Sequence, residues 1–214
     1  MIWVTGDKHG ELSAMKLPGF HKIKKRDTLL VCGDFGFVWD GSKQELKKRK
    51  KLSKRRYTIA FVDGCNENFE LLEAFDTVDF CGGKAKQIAK NIYWLLRGEI
   101  YDIDGKKVLA FGGGSPLGGG VGSAVTQPNT QQIETVVQHL EECDQTVDLI
   151  VTHEPPFAVL GCMEDPGNSS LIHDILEEIR VHCRFKQWFF GKYHLDKRIP
   201  PFYQAVYDRV IPFE

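Results

Sequence analysis

Five short apolar runs in this chain each stop at a residue able to hold a metal or move a proton, and that pattern constrains the fold most. Ile2–Gly6 is followed by Asp7 and His9, and Thr28–Gly33 by Asp34. Thr58–Val62 leads into Asp63-Gly64-Cys65-Asn66, Asp148–Thr152 into His153, and Trp188–Gly191 into Lys192-Tyr193-His194. Short apolar runs that end in glycine or a polar residue read as strands of a layered α/β protein. Amphipathic helical patterns lie between them at Glu67–Phe75, Gln131–Cys143 and Ser170–Val181. In the second of these, Ile133, Val136, Val137 and Leu140 share one face. A hairpin-like stretch runs through Ile92–Leu96, Glu99–Ile103, an Asp104-Gly105 turn and Val108–Phe111. Strand, polar loop and helix alternate around it, which predicts a mixed sheet covered by helices. In such folds the functional groups gather in loops at the carboxyl ends of strands.

Composition narrows the class. With 214 residues, the chain is expected to form a single domain over 1–214. The net charge of −1 nominates neither nucleic acid nor membrane as a bulk partner. Any anion must be held by a local patch. No stretch has the apolar length of a membrane span, and the start lacks a signal-peptide pattern. Six scattered cysteines without a CxxC pair read as reduced thiols. The expected location is the cytoplasm.

Asp7, His9, Asp34, His153 and His194 at successive strand ends form a mixed nitrogen and oxygen donor set. Such a set suits Mn²⁺, Zn²⁺ or Fe better than Ca²⁺ or Mg²⁺, with one or two ions expected and Mn²⁺ foremost.

In this order, Asp-x-His, Gly-Asp, a loop of the Gly-Asn-His-Glu kind, a strand-end His and a Gly-His-x-His kind of ending resemble the calcineurin-like metallophosphoesterase family, in its small bacterial and phage form. The resemblance covers Thr5–Gly10, Cys32–Asp40, Phe61–Leu72, Leu96–Gly98, Asp102–Gly113 and Trp188–Asp196. It implies a four-layer α/β sandwich, two mixed sheets flanked by helices. It also implies a two-metal centre that hydrolyses phosphomono- or diesters, the ions roughly 3.5–4 Å apart. Carried over by position, Asp7, His9, Asp34 and His194 match the first metal site. Asp34 would bridge to a second ion, with His153 among that ion's other ligands.

The chain departs from the family pattern at three places. Cys65 stands where a metal-binding Asn is expected, Asn66 where a catalytic His is, and Lys192 where a second-metal His is. Three readings follow. The second site is weak and the chain is a one-metal or slow hydrolase, lacking about 10²–10⁴-fold in rate because Asn66 donates no proton as an acid would. Alternatively, Cys65 takes over as a thiolate ligand and favours Zn²⁺ or Fe. In the third, the Lys192 ammonium occupies the second metal's place beside Asp34 and the phosphate. Slipping the frame by one residue would put Asn66 on the metal and Glu67 at the acid, but Asp63, Gly64, Glu67, Asn68 and Phe69 fit the ungapped frame.

Asn66, Lys192 and Arg97 are the expected phosphate-steadying groups, Arg97 having a salt bridge as its other reading. Lys43–Arg56 reads as a basic helix, either a solvated face or a patch for nucleic acid or nucleotide near the mouth of the site. Gly112–Gly122 lacks the Gly-Lys-Ser/Thr ending of a phosphate-cradling loop and reads as a loop over the site or a linker. The rival to a hydrolase is a non-catalytic relative that binds a phosphorylated ligand or a protein partner.

Overall fold

The structure is a computed structural model that describes residues 1–115, 124–163 and 169–213. Its strands form two mixed sheets. The first contains β1 (Ile2–Thr5), β2 (Thr28–Cys32), β3 (Thr58–Val62), β4 (Thr77–Phe80), β5 (Gly83–Ala89), β6 (Ile92–Leu95) and β13 (Ile211–Phe213), in the order β13-β1-β2-β3-β6-β5-β4. The second contains β7 (Ile100–Ile103), β8 (Lys106–Phe111), β9 (Leu149–Thr152), β10 (Gln187–Phe190), β11 (Lys197–Ile199) and β12 (Tyr203–Ala205), in the order β11-β12-β10-β9-β8-β7. Strands β1, β2, β3 and β6 run parallel, as do β8, β9, β10 and β12, and antiparallel strands close the edges.

Alternation along the strands builds the layers. Val4, Leu30, Val62, Ala110, Val151 and Phe189 pack between the sheets. Their neighbours Trp3, Leu29, Val31 and Phe61 face outward against Leu52 of α1 (Lys43–Leu52) and Leu72 of α2 (Phe69–Glu73). On the far side, Ile150, Trp188 and Phe190 meet Val136 and Leu140 of α3 (Thr130–Glu142) and Leu176 and Ile179 of α5 (Leu171–His182). A short α4 (Phe157–Leu160) completes that layer. Both strand faces are dry, which is why the central runs carry no polar alternation. The architecture is the expected one of two mixed sheets flanked by helices.

Capping residues place the helix starts. Ser42 accepts a hydrogen bond from the Glu45 N–H, and Asn68 from that of Leu71. Asn129 and Gln132 form a reciprocal capping box. Helix α2 therefore begins two residues later than its apolar pattern, and α1 is shorter than the basic run that contains it. The central hairpin-like stretch divides: β6 joins the first sheet beside β3, and only β7 and β8 form a hairpin, in the second. Its turn residues Asp104 and Gly105 both have positive φ, as a type I′ turn requires. Cys81 and Gly82 do the same between β4 and β5, a hairpin absent from the sequence reading. No helix among the described residues is long and apolar enough to cross a membrane.

Candidate metal centre

The carboxyl ends of β1, β2 and β3 from one sheet meet those of β9 and β10 from the other, bringing the strand-end residues together. His9, Asp34, Lys192 and His194 all have left-handed backbone conformations, with φ between 43° and 63°. Four non-glycine residues held that way in one place are a strain cost that the surrounding packing must impose. Two glycines make room for the side chains. A Cβ on Gly33 would collide with the His153 ring, and one on Gly64 with the Asp34 carboxylate.

Asp7, His9 and His194 form one cluster of donor atoms. His194 Nε2 lies 3.0 Å from His9 Nε2 and 3.2 Å from Asp7 Oδ2, and His9 Nε2 lies 3.9 Å from the same oxygen. Ligands at about 2.0–2.1 Å from a shared ion stand roughly 3–3.5 Å from each other, so the two spacings of His194 Nε2 suit a metal and that of His9 to Asp7 is wider. Asp7 Oδ2 is buried and receives no hydrogen bond, despite the nearby imidazole. A buried carboxylate oxygen left in that condition is costly unless something else satisfies it. Its other oxygen accepts from the Lys192 N–H at 3.0 Å, and the His194 ring stacks on Tyr207. The Asp7 carboxylate holds the His194 imidazole above its usual pKa.

Asp34, Cys65 and His153 form a second cluster. Cys65 Sγ is 3.7 Å from His153 Nε2 and 4.0 Å from Asp34 Oδ2, and His153 Nε2 is 3.8 Å from Asp34 Oδ1. The two longer spacings to Sγ suit a thiolate, whose bonds to Zn²⁺ are about 2.3 Å. His153 Nδ1 lies 3.0 Å from the Cys32 carbonyl. A carbonyl only accepts, so Nδ1 carries a proton, and Nε2 is the nitrogen that an ion would take in place of its own proton. Burial pushes the His153 pKa down, but Asp34 and Asp7 outweigh it and hold it well above the usual range.

Asp34 stands between the clusters, its Oδ2 also 3.9 Å from His9 Nδ1. Asn66 grips it twice, through the backbone N–H at 2.8 Å and the side-chain amide at 2.7 Å. Burial favours the neutral carboxyl, yet His153 and these two hydrogen bonds hold Asp34 below its usual pKa. Asn66 is thus a clamp on Asp34, held there although the residue itself is exposed. Asn66→Ala is expected to weaken metal binding about 10–100-fold, the usual loss when a ligand's supporting group goes. Titration calorimetry with Mn²⁺ checks this, and unchanged affinity would exclude the clamp. Glu67 shapes the next part of the loop, accepting from the Phe35 N–H at 2.7 Å and the Gly36 N–H at 3.4 Å.

Two expected site residues point elsewhere. The Lys192 ammonium does not take up the place beside Asp34. It is buried against Glu154, to which it is hydrogen-bonded, and donates to the Ser115 carbonyl at 2.6 Å. Glu154 also accepts from His173 Nε2 at 3.2 Å. Burial raises the Glu154 pKa, but His173 and Lys192 prevail and set it at about 2. The lysine's charge is therefore matched locally and leaves the Cys65 cluster free of an adjacent uncompensated cation.

Arg97 is likewise engaged within the chain, as its salt-bridge reading expects. Its guanidinium bonds Asp63 Oδ2 twice, at 3.0 and 2.6 Å, and the Val125 carbonyl, the Gln127 carbonyl and Gln132 Oε1. Five hydrogen bonds use all five of its N–H groups. Asp63, which the sequence reading named only for its place in the motif, and Glu154 and His173, to which it gave no role, are the partners that redirect these two cations. Gly112–Ser115 packs beside Asp63 and Glu154, whereas 116–122 of the glycine-rich segment lies outside the described residues.

The sequence matches no family model and no curated protein. Among solved structures, the chain is similar to the crystal structure of a phosphopantetheinyl hydrolase from Mycobacterium tuberculosis. The identity is 13% and the TM-score 0.45, over 96% of this chain and 89% of that one.

Proposed function

We propose that the chain is a metal-dependent hydrolase of phosphomono- or diesters. The observation that carries this reading is the pair of neighbouring three-donor clusters, one containing Asp34 and the other the unsatisfied Asp7 Oδ2. The sequence resemblance to calcineurin-like metallophosphoesterases agrees with it. Asp7, His9 and His194, with Asp34 shared, hold one divalent ion. This oxygen and nitrogen set suits Mn²⁺, whereas the thiolate in the Asp34, Cys65 and His153 set favours Zn²⁺ or Fe. Such ions supply charge stabilisation for phosphoryl oxygens and a nucleophile from water at neutral pH. The chain's own work is to keep Asp34 ionised, to fix the His153 tautomer through the Cys32 carbonyl, and to hold Asp34 in place through Asn66.

A binding role is the second reading, and one observation favours it. The Asn66 amide is engaged by Asp34 and has no acidic proton for a leaving group. Hydrolysis of a chromogenic phosphodiester, with and without Mn²⁺, separates the two. Mn²⁺-dependent turnover establishes the hydrolase, and its absence in metal-loaded protein supports binding alone. Metal counting by plasma emission is expected to give two ions per chain, falling to one in Cys65→Ala. An unchanged count in that variant would remove Cys65 from the ligand set.

A further inference from the structure

A cleft of about 450 Å³ opens beside the centre, with His9 and Asn66 at one end and Trp39, Gln44 and Lys48 along its walls. Trp39 is 52% exposed, whereas Trp3, Trp94 and Trp188 are 7%, 4% and 0% exposed. Its backbone is tied down on both sides. The Trp39 N–H donates to Glu45 Oε2 at 2.6 Å, and its carbonyl accepts from Asn68 Nδ2 at 2.6 Å. Glu45 Oε2 also accepts from the Asp40 N–H at 2.8 Å, so the same carboxylate braces the next residue. Phe37 and Val38 are buried just before the indole. The loop therefore presents an indole to solvent from a braced backbone, next to a centre suited to phosphate.

The wall opposite supplies charge. Gln44 and Lys48 are four residues apart on α1 and share its cleft-facing side. Lys48 Nζ donates to the Gly10 carbonyl at 2.9 Å, which draws the helix onto the loop bearing His9. Outside the cleft lining, on the same segment, Lys43, Lys47, Lys50, Lys51, Lys54, Arg55 and Arg56 are exposed. They concentrate positive charge in a chain of net charge −1.

We infer that this cleft is a nucleobase subsite, so that the esters taken by the centre carry a nucleotide, with its base stacked on Trp39 and its phosphate directed to the metal site that Asp7, His9, Asp34 and His194 would form. An aromatic face beside a basic track is how single nucleotides and single strands are held without sequence readout. The inference rests on the phosphoester reading above and adds its substrate class. A free nucleotide and a single strand offer the same base and phosphate.

Titration calorimetry on Mn²⁺-loaded protein tests it with three probes: ribose 5-phosphate, adenosine 5′-monophosphate and an eight-nucleotide oligoadenylate. The monophosphate is expected to bind about 5- to 150-fold more tightly than the sugar phosphate, the range that one base stack provides. Trp39→Ala is expected to bring that ratio to about one, and Trp39→Phe to keep most of it. A ratio near one in the wild type, or an unchanged ratio in Trp39→Ala, overturns the inference. If the source is a strand, the oligonucleotide binds more tightly than the monophosphate, and its affinity falls more steeply with salt. Equal binding of the two identifies a free nucleotide. Hydrolysis of a small alkyl phosphodiester without any base preference would overturn this inference and leave the phosphoester reading standing. Failure of both hydrolysis and sugar-phosphate binding would overturn the two together.

Discussion

Asp34→Asn is expected to lower Mn²⁺-dependent phosphodiester hydrolysis by about 10³-fold or more, since a metal centre contributes several kcal/mol and each 1.36 kcal/mol is tenfold in rate. Asp34 has this weight because both donor clusters depend on it, His9 Nδ1 and His153 Nε2 lying 3.9 and 3.8 Å from its oxygens. The amide keeps the shape but removes the charge, and its NH₂ would meet the N–H groups of Asn66 that now serve the carboxylate. The change should therefore loosen the ligand as well as neutralise it. Steady-state kcat/KM with added Mn²⁺ is the measurement, alongside metal counting and a thermal melt to confirm folding. Activity within tenfold of the wild type in a folded variant would remove Asp34 from the centre.

Arg97→Met carries the largest expected effect on stability. Asp63 and Arg97 are both buried, and removing the guanidinium leaves a carboxylate whose other side-chain donor is Trp94 Nε1 at 3.1 Å. Breaking a buried pair from one side costs about 3–5 kcal/mol. For a chain of this size that corresponds to a drop in Tm of about 6–20 °C. The double variant Asp63→Asn/Arg97→Met is expected to recover part of the loss, because no unpaired charge remains to be buried. Calorimetric melts of both single variants and the double variant give the coupling directly. Additive effects would mean that the pair does not act as a unit.

The residues of the two donor clusters were all legible beforehand, because each sits within a few positions of a strand end and strand ends are visible as the close of an apolar run. The β4–β5 hairpin was not. Strand β4 alternates between exposed and half-buried residues, β5 buries only Gly83, Ala85 and Ile88, and the two include Asp79, Lys84 and Lys86, so no apolar run marks them. Its Cys81-Gly82 turn puts cysteine where Asn or Asp would have signalled a positive φ. Strand β13 is three residues long and pairs with β1 from the opposite end of the chain.

The sequence by itself determined the layered α/β class and the strand-end placement of Asp7, His9, Asp34, His153 and His194, with Cys65 as one of three open readings, because hydrophobic period and strand-end position are local properties. Only the tertiary structure decided where the long cations end. Lys192 follows a strand just as His194 does, yet its flexible stem carries the ammonium to Glu154, and Arg97 reaches Asp63. Glu154 and Asp63 lie 38 and 34 residues away along the chain. A buried charge settles on the partner that neutralises it, and that partner is chosen by packing between strands. The short side chains of Asp34 and Cys65, with little reach of their own, stay where the backbone puts them.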